Sequence, residues 1–219
     1  MAGVPIWGER AACGSGDSEE SSRIKALQSG SEGAFDWLIA QYSQPVYRLT
    51  HQILNDPADA ADAVQEVFLK VFRNIGEFQG DSSLKTWIYR IAVNTASNQN
   101  RWWRRHKEQE FSLDAEESRE DGKGFVPADH AQNPFESLLS RETQEMVRKA
   151  MGRLGESSRT VLVLREMEDL SYEEIAEILH ISLGTVKSRL ARARHSLKHE
   201  LESMMERAPA GLPVWNPAD

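Results

Sequence analysis

Apolar residues recur at helical spacing in two short stretches near the C-terminus, which predicts a pair of packed helices. Ser171 and Glu174 have the S-x-x-E form of a capping box, so the first helix is expected to begin there. Ser182 can cap the second helix, with Thr185 in its first turn. The predicted core stripes are Tyr172, Ile175, Ala176 and Leu179, then Val186, Leu190, Ala193, Leu197 and Leu201.

The outer face of the second helix is cationic, and its centre carries small residues. Ser188 and Ala191 lie at that centre, and no acidic residue occurs between Glu177 and Glu200. Small residues allow a helix to enter a major groove, while flanking Lys and Arg suit phosphate oxygens. The pattern favours a helix-turn-helix that binds DNA. The alternative is a solvated basic face on an ordinary helical hairpin.

A helix with an acidic face is predicted after Asn55, where Asp56 and Pro57 form a start signal. Its apolar face contains Val64, Val67, Phe68, Val71 and Phe72. Its acidic residues are Asp59, Asp62 and Glu66. Three interpretations of these acids stay open: a two-metal nuclease site, acids that favour a helix N-terminus, and a docking face for a partner.

The next helix is predicted from about Leu84 to Lys107, with Asp81 or Ser82 as its cap. One face is apolar, whereas another carries amides and arginines, and no acid occurs between Asp81 and Glu108. Cations, amides and aromatic rings together can bind single-stranded nucleic acid. The apolar face has Leu84, Trp87, Ile88 and Ile91; the other has Arg90, Asn94, Asn98, Arg101 and Arg105. Trp87 is expected in the core.

Composition narrows the class of protein. The chain has 219 residues and a net charge of −8, which disfavours a protein that coats nucleic acid indiscriminately. A single cysteine, Cys13, excludes an internal disulfide and fits a reducing compartment. No signal peptide or membrane span is predicted. We expect a cytoplasmic protein without a metal site.

Changes in composition divide the chain into two small all-α domains with an acidic linker. The linker, roughly 27 residues at ~3.3 Å each, could extend to ~90 Å. Two DNA sites about one and a half helical turns apart are separated by only ~50–60 Å, so one chain could contact both. The expected segments are a disordered tail 1–21, a helical domain 22–106, the linker 107–132, a helix-turn-helix domain 133–203 and a disordered tail 204–219.

Several motifs resemble the extracytoplasmic-function group of bacterial sigma factors. S-Y-E-E-I-A and G-T-V-K-S-R-L-A-R-A-R are similar to sigma region 4, and D-A-A-D-A-V-Q-E-V-F is similar to region 2.2. F-Q-G-D-S, T-W and Y-R-I-A-V-N-T-A resemble regions 2.3 and 2.4. The chain departs from the pattern at Gly155, where Pro is expected, and at His180, where Gly often fits. The resemblance implies a sigma factor that directs core RNA polymerase to promoters, with an anti-sigma factor as a further partner. It also implies a protein with no cofactor, no small-molecule substrate and no catalytic residues of its own.

The resemblance also implies roles for individual residues. Those expected to bind the β and β′ subunits of polymerase are Asp59, Asp62, Gln65 and Glu66. Those expected at the −10 element, where a base is flipped out, are Phe78, Gly80, Asp81, Ser82, Ser83, Thr86, Arg90, Asn94, Asn98 and Arg101. In the −35 major groove we expect Lys187, Ser188 and Ala191, with Thr185, Arg189, Arg192 and Arg194 on phosphates. The rival interpretation is a helix-turn-helix repressor or activator that acts without polymerase.

Overall fold

The computed structural model describes residues 16–110 and 134–207, and within these ranges the chain is helical with no strand. No helix in these ranges is both long and apolar enough to cross a bilayer. The helices are α1 (Gly16–Gln28), α2 (Glu32–Leu54), α3 (Pro57–Asn74), α4 (Leu84–Glu110), α5 (Pro134–Arg153), α6 (Glu156–Leu162), α7 (Tyr172–Leu179) and α8 (Leu183–Arg207). A 3₁₀ turn, Ile75–Glu77, follows α3, and a π-helical turn, Val163–Met167, continues α6.

The N-terminal domain is a bundle in which α2, α3 and α4 pack against one another and α1 packs on α2. The start of α3 follows the sequence signal, because Asp56 Oδ1 accepts the backbone N–H of Ala58 and of Asp59 at 2.9 and 3.0 Å. Pro57 occupies the first turn, where its missing N–H costs nothing. The buried side chains include Leu38, Val46, Leu49, Ile53, Val67, Val71, Leu84, Ile88, Ala92 and Ala96.

The C-terminal domain contains the predicted helix-turn-helix. Ser171 Oγ accepts the backbone N–H of Glu174 at 3.2 Å, and Glu174 Oε2 accepts the N–H of Ser171 at 2.8 Å, which completes the capping box. α7 ends at His180, whose φ of 51° lies in the left-handed region that glycine adopts more easily. Ser182 Oγ then accepts the N–H of Thr185 at 3.2 Å and begins α8. The turn therefore forms with His180 in the place of glycine.

The two domains pack against each other through α4 with α7 and α2 with α6. Arg159 connects them: its Nη1 donates to the Ile53 carbonyl at 2.9 Å, and its Nη2 donates to the carbonyls of Gly152 and Leu154 at 3.0 Å. Gly152 lies so close to α2 that an added Cβ would approach the Asn55 side chain to 3.3 Å. The buried residues of both domains consequently form one continuous apolar cluster.

The helix boundaries correct several expectations. Residues 16–21, expected in a disordered tail, belong to α1, whose Glu20 is tied to the start of α4. α4 and α8 also run a few residues further than expected, to Glu110 and Arg207. The cap of α4 is Ser83, because its Oγ accepts the Thr86 N–H at 3.0 Å; the expectation of Asp81 or Ser82 was wrong. Expectations for residues 1–15, 111–133 and 208–219 lie outside the described residues.

Replacing the cap residue of α7 is expected to destabilise the C-terminal domain. Ser171→Ala removes the oxygen that accepts the Glu174 N–H, and the free energy of unfolding should fall by about 1 kcal/mol. Urea unfolding followed by circular dichroism measures this change. Ser196→Ala, on the exposed face of α8, is the control and should stay within about 0.5 kcal/mol of the parent. Equal effects of the two substitutions would contradict the role of the cap.

Candidate nucleic-acid interface

The recognition helix α8 buries one side and exposes a cationic one. Val186, Leu190 and Ala193 are at most 1% exposed and face the domain core. The predicted groove residues Lys187, Ser188 and Ala191 are exposed, as is Arg192. We call this exposed set, together with Thr185, Arg189 and Arg194, the −35 face. Its small central residues leave the helix backbone accessible to a groove.

Several members of the −35 face are partly engaged by the protein itself. The Thr185 hydroxyl is paired with that of Ser182 at 2.8 Å, and Arg189 is half-buried. Arg194 donates to Glu166 Oε1 through Nη2 at 2.6 Å and through Nε at 3.0 Å. These hydrogen bonds to the Glu166 carboxylate raise the pKa of Arg194. Arg194 would have to exchange this carboxylate for a phosphate in order to contact DNA.

The loop from Phe78 to Ser83, which we call the base-capture loop, precedes α4. Phe78 is buried against Trp87, with ring centroids 5.2 Å apart, which agrees with the expectation that Trp87 packs internally. Gly80 has a φ of 79°, and a Cβ added there would meet no atom within 4 Å. Asp81 is exposed and Ser82 is half-buried. The loop thus combines an apolar floor with an accessible polar rim.

The −10 face consists of the base-capture loop and the predicted residues of α4, which differ in accessibility. Thr86 is buried, and its hydroxyl is paired with that of Ser83 at 2.8 Å. Asn94, Asn98 and Arg101 are exposed, and Arg101 Nη2 donates to Asn98 Oδ1 at 2.8 Å. The Arg105 side chain lies outside the described residues.

Arg90, the remaining −10 residue, is bound to the other domain. Its Nη2 lies 2.6 Å from Glu177 Oε1 of α7, and the two side chains are only 25% and 39% exposed. The preceding residue, Tyr89, is buried and donates from its hydroxyl to Glu168 Oε2 at 2.5 Å. Burial, followed by the hydrogen bond to Glu168, raises the pKa of Tyr89. We call these two contacts the domain clasp; Arg90 cannot bind DNA through Nη2 while the clasp is closed.

The predicted acidic face is present on α3. Asp62, Gln65 and Glu66 are exposed and Asp59 is half-buried, while Glu66 Oε1 is paired with Lys70 at 2.7 Å. No three His, Cys, Asp or Glu side chains in the described ranges are placed to hold a metal ion. The carboxylates of α3 therefore do not form the cluster that a two-metal nuclease requires.

Apolar side chains extend the acidic face, and the sequence interpretation missed them. Leu69 is 53% exposed and Phe72 is 62% exposed, although Phe72 was predicted to belong to the apolar face that packs inward. The Phe72 ring packs against the ring of Phe35, with centroids 4.9 Å apart. The core side of α3 is completed instead by Ala60 and Ala63. The sequence did carry a signal for this exposure, because the apolar residues of α3 span an arc that is wider than one buried stripe.

Comparison with known proteins agrees with this architecture of a two-domain helical DNA-binding protein. Residues 38–108 match the family model described as Sigma-70 region 2, and residues 144–197 match Sigma-70, region 4. The chain is 35% identical to the RNA polymerase sigma-H factor of Pseudomonas aeruginosa over 194 residues, which cover 87% of this chain and 97% of that protein. It is also 35% identical to the ECF RNA polymerase sigma-E factor of Escherichia coli strain K12, over 84% of this chain and 95% of that one.

Solved structures share the fold. The sigma factor RpoE of Bartonella quintana, solved with the anti-sigma factor NepR, superimposes with a TM-score of 0.60 at 23% identity. That match covers 77% of this chain and 96% of RpoE. CnrH, solved with the cytosolic domain of CnrY, gives a TM-score of 0.61 at 22% identity, over 84% of this chain and 97% of CnrH.

The chain belongs to the sigma-70 family of RNA polymerase sigma factors, and within it to the extracytoplasmic-function group. Sigma factors are non-enzymatic initiation factors. The family and the fold class expected from the sequence are thereby confirmed.

Reversing one charge of the domain clasp should separate the domains. Glu177→Arg places a second cation against Arg90, so the attraction at 2.6 Å becomes a repulsion. Small-angle X-ray scattering at low salt should show a larger radius of gyration. Glu173→Arg changes the same charge at an exposed position of the same helix and should leave the radius unchanged. If both variants stay as compact as the parent, the clasp does not hold the domains together.

Proposed function

We propose that this sigma factor binds core RNA polymerase through the acidic face of α3, opens the −10 element with the base-capture loop and α4, and reads the −35 element with α8. The observation that carries the proposal is that the chain exposes two unlike surfaces at once. One is acidic and apolar, on α3, and the other is cationic, on α8. A sigma factor requires both, because one surface must bind protein while the other binds DNA.

The acidic face supports the docking step. Carboxylates at its centre and the exposed rings and methyl groups of Leu69 and Phe72 at its edge suit a partner surface with cationic and apolar parts. Lys70 holds Glu66 in place along the helix. A repressor or activator that acts on DNA alone would have no use for this surface, which makes that rival the weaker explanation.

The −10 face supports the opening step, once the domain clasp has opened. Asn94, Asn98 and Arg101 are accessible for contacts to a single strand, and Arg90 joins them when it leaves Glu177. Flipping a base costs a few kcal/mol of stacking, which a pocket beside cationic groups can offset. The chain supplies no catalytic residue in this scheme; the polymerase performs the chemistry in the cytoplasm.

An anti-sigma factor is a further expected partner. RpoE, which shares this fold, is complexed with the anti-sigma factor NepR in its solved structure. A partner that binds both domains of the closed form would keep Arg90 on Glu177 and so withhold it from DNA.

Run-off transcription with bacterial core polymerase on genomic fragments tests the proposal. New start sites should appear with the protein and vanish for the double variant Asp62→Arg/Glu66→Arg. In that variant two cations replace the exposed carboxylates and repel a cationic partner surface. The control Glu202→Arg/Glu206→Arg makes the same charge change at the exposed end of α8 and should keep the start sites. If no start site appears and the protein alone shifts a palindromic fragment, the repressor or activator interpretation replaces ours.

Removing one cation from the −35 face should change the salt dependence of binding. Arg192 is exposed and is predicted to contact a phosphate, so Arg192→Ala should weaken binding to the −35 duplex. The slope of log K against log salt should become shallower by about 0.9, as expected for one phosphate contact. Arg73→Ala, an exposed arginine on α3, is the control. An unchanged slope for Arg192→Ala would remove this residue from the phosphate contacts.

A further inference from the structure

α1 contacts the base-capture loop at both of its ends. The Gln28 amide donates from Nε2 to the carbonyl oxygens of Ile75, at 3.2 Å, and Phe78, at 2.9 Å. At the other end, the backbone N–H of Leu84 donates to Glu20 Oε1 at 3.2 Å. One helix therefore holds the residue that opens the loop and the residue that follows it.

The spacing of these contacts is set by the geometry of a helix. Glu20 and Gln28 are two steps of four residues apart, so they share one face of α1 and are separated by ~12 Å along it. α1 is itself anchored: Leu27 is 1% exposed in the bundle core. The Arg23 guanidinium lies 4.4 Å from the centre of the Trp37 ring of α2. α1 is thus a stiff support whose position does not depend on the loop.

The loop needs such a support because its own backbone is easily deformed. Gly80 adopts a φ of 79° and has open space around its Cα. Glycine has more conformations available than any other residue, so a loop built around it loses more entropy when it is ordered. A pocket formed before the base arrives avoids this cost at the moment of binding.

The Glu20 carboxylate has a second consequence. It occupies one of the free N–H groups at the start of α4, where the helix dipole attracts anions. The negative charge of Glu20 therefore disfavours a DNA phosphate at that position.

We propose that α1 holds the base-capture loop in its binding conformation, and that Glu20 and Gln28 are positioning residues for the flipped-out base of the −10 element. The inference rests on the proposed function of this loop. It assigns a role to a helix outside the region 2 match, which begins at residue 38. The two residues act through the loop, since their hydrogen bonds end on backbone atoms of its first residue and of residues that flank it.

The test uses the full chain with core polymerase and the promoter found by run-off transcription. 2-Aminopurine is placed at each −10 position in turn, and its fluorescence reports which base leaves the stack. Open-complex formation is then compared between that promoter and one with an abasic site at the same position. Glu20→Leu should lower open-complex formation about 10-fold, the effect of losing a hydrogen bond to a charged group. It should also reduce the preference for the base over the abasic site.

Two matched variants separate positioning from folding. Glu19→Leu removes the same charge one residue away, where the carboxylate pairs with Arg23, and should behave as the parent. Glu20→Gln keeps an oxygen acceptor and should restore most of the base preference. Binding to the −35 duplex should be equal in all variants. Gln28→Leu provides the same test at the other end of the loop if Glu20→Leu fails to fold.

The outcomes are distinguishable. If the parent protein gives no 2-aminopurine signal, the proposed function of the loop is wrong. If the parent opens the promoter and Glu20→Leu matches Glu19→Leu, the proposed role of α1 is refuted while the proposed function of the loop stands. A loss that is the same on the intact and abasic promoters would also refute it, because α1 would then serve stability alone.

Discussion

The packing of α4 is the constraint on which the rest of this structure depends. Its inner side, with Leu84, Ile88 and Ala96 fully buried, completes the N-terminal bundle against α2 and α3. Its flank, with Tyr89 and Arg90, holds the C-terminal domain through the domain clasp. Its outer side carries the amides and arginines of the −10 face. One rigid helix therefore fixes the core, the closed arrangement and the DNA-binding residues relative to one another.

The chain keeps surfaces of opposite character apart. Its net charge is −8, yet α8 and the outer side of α4 are cationic, while α3 presents carboxylates beside Leu69 and Phe72. Two arginines of the predicted DNA-binding sets are paired with carboxylates of the protein itself, Arg90 with Glu177 and Arg194 with Glu166. The protein thus supplies its own carboxylates to arginines that are expected to meet phosphates. For these residues, contact with DNA would be an exchange of a carboxylate for a phosphate.

The sequence predicted those features of the fold that depend on interactions between residues close together in the chain. The Ser171–Glu174 capping box, the Ser182 cap and the Asp56–Pro57 start each act within one helical turn, and each formed as expected. The cap of α4 was misassigned because Asp81, Ser82 and Ser83 are all suitable and only the path of the chain selects among them. The exposure of Phe72 was missed because periodicity shows an apolar arc but not which part of it is covered. Contacts such as Arg90 with Glu177, 87 residues apart, depend on the packing of two domains and leave no trace in spacing.

Because the domain clasp can withhold Arg90, promoter binding should depend on the fraction of molecules in which the clasp is open. If Arg90 binds the −10 element as proposed, a molecule in which Arg90 holds Glu177 lacks that contact, and the measured affinity would be the intrinsic affinity of the open state scaled by the open fraction. If one molecule in about a hundred is open, the apparent dissociation constant is about a hundredfold weaker than that of the open state. A polymerase that bound only the open form, through another surface, would remove this penalty without changing the contacts between this chain and DNA. Promoter DNA would then bind the holoenzyme more tightly than the free factor. This preference would be an equilibrium property of the chain itself, present before any inhibitor acts.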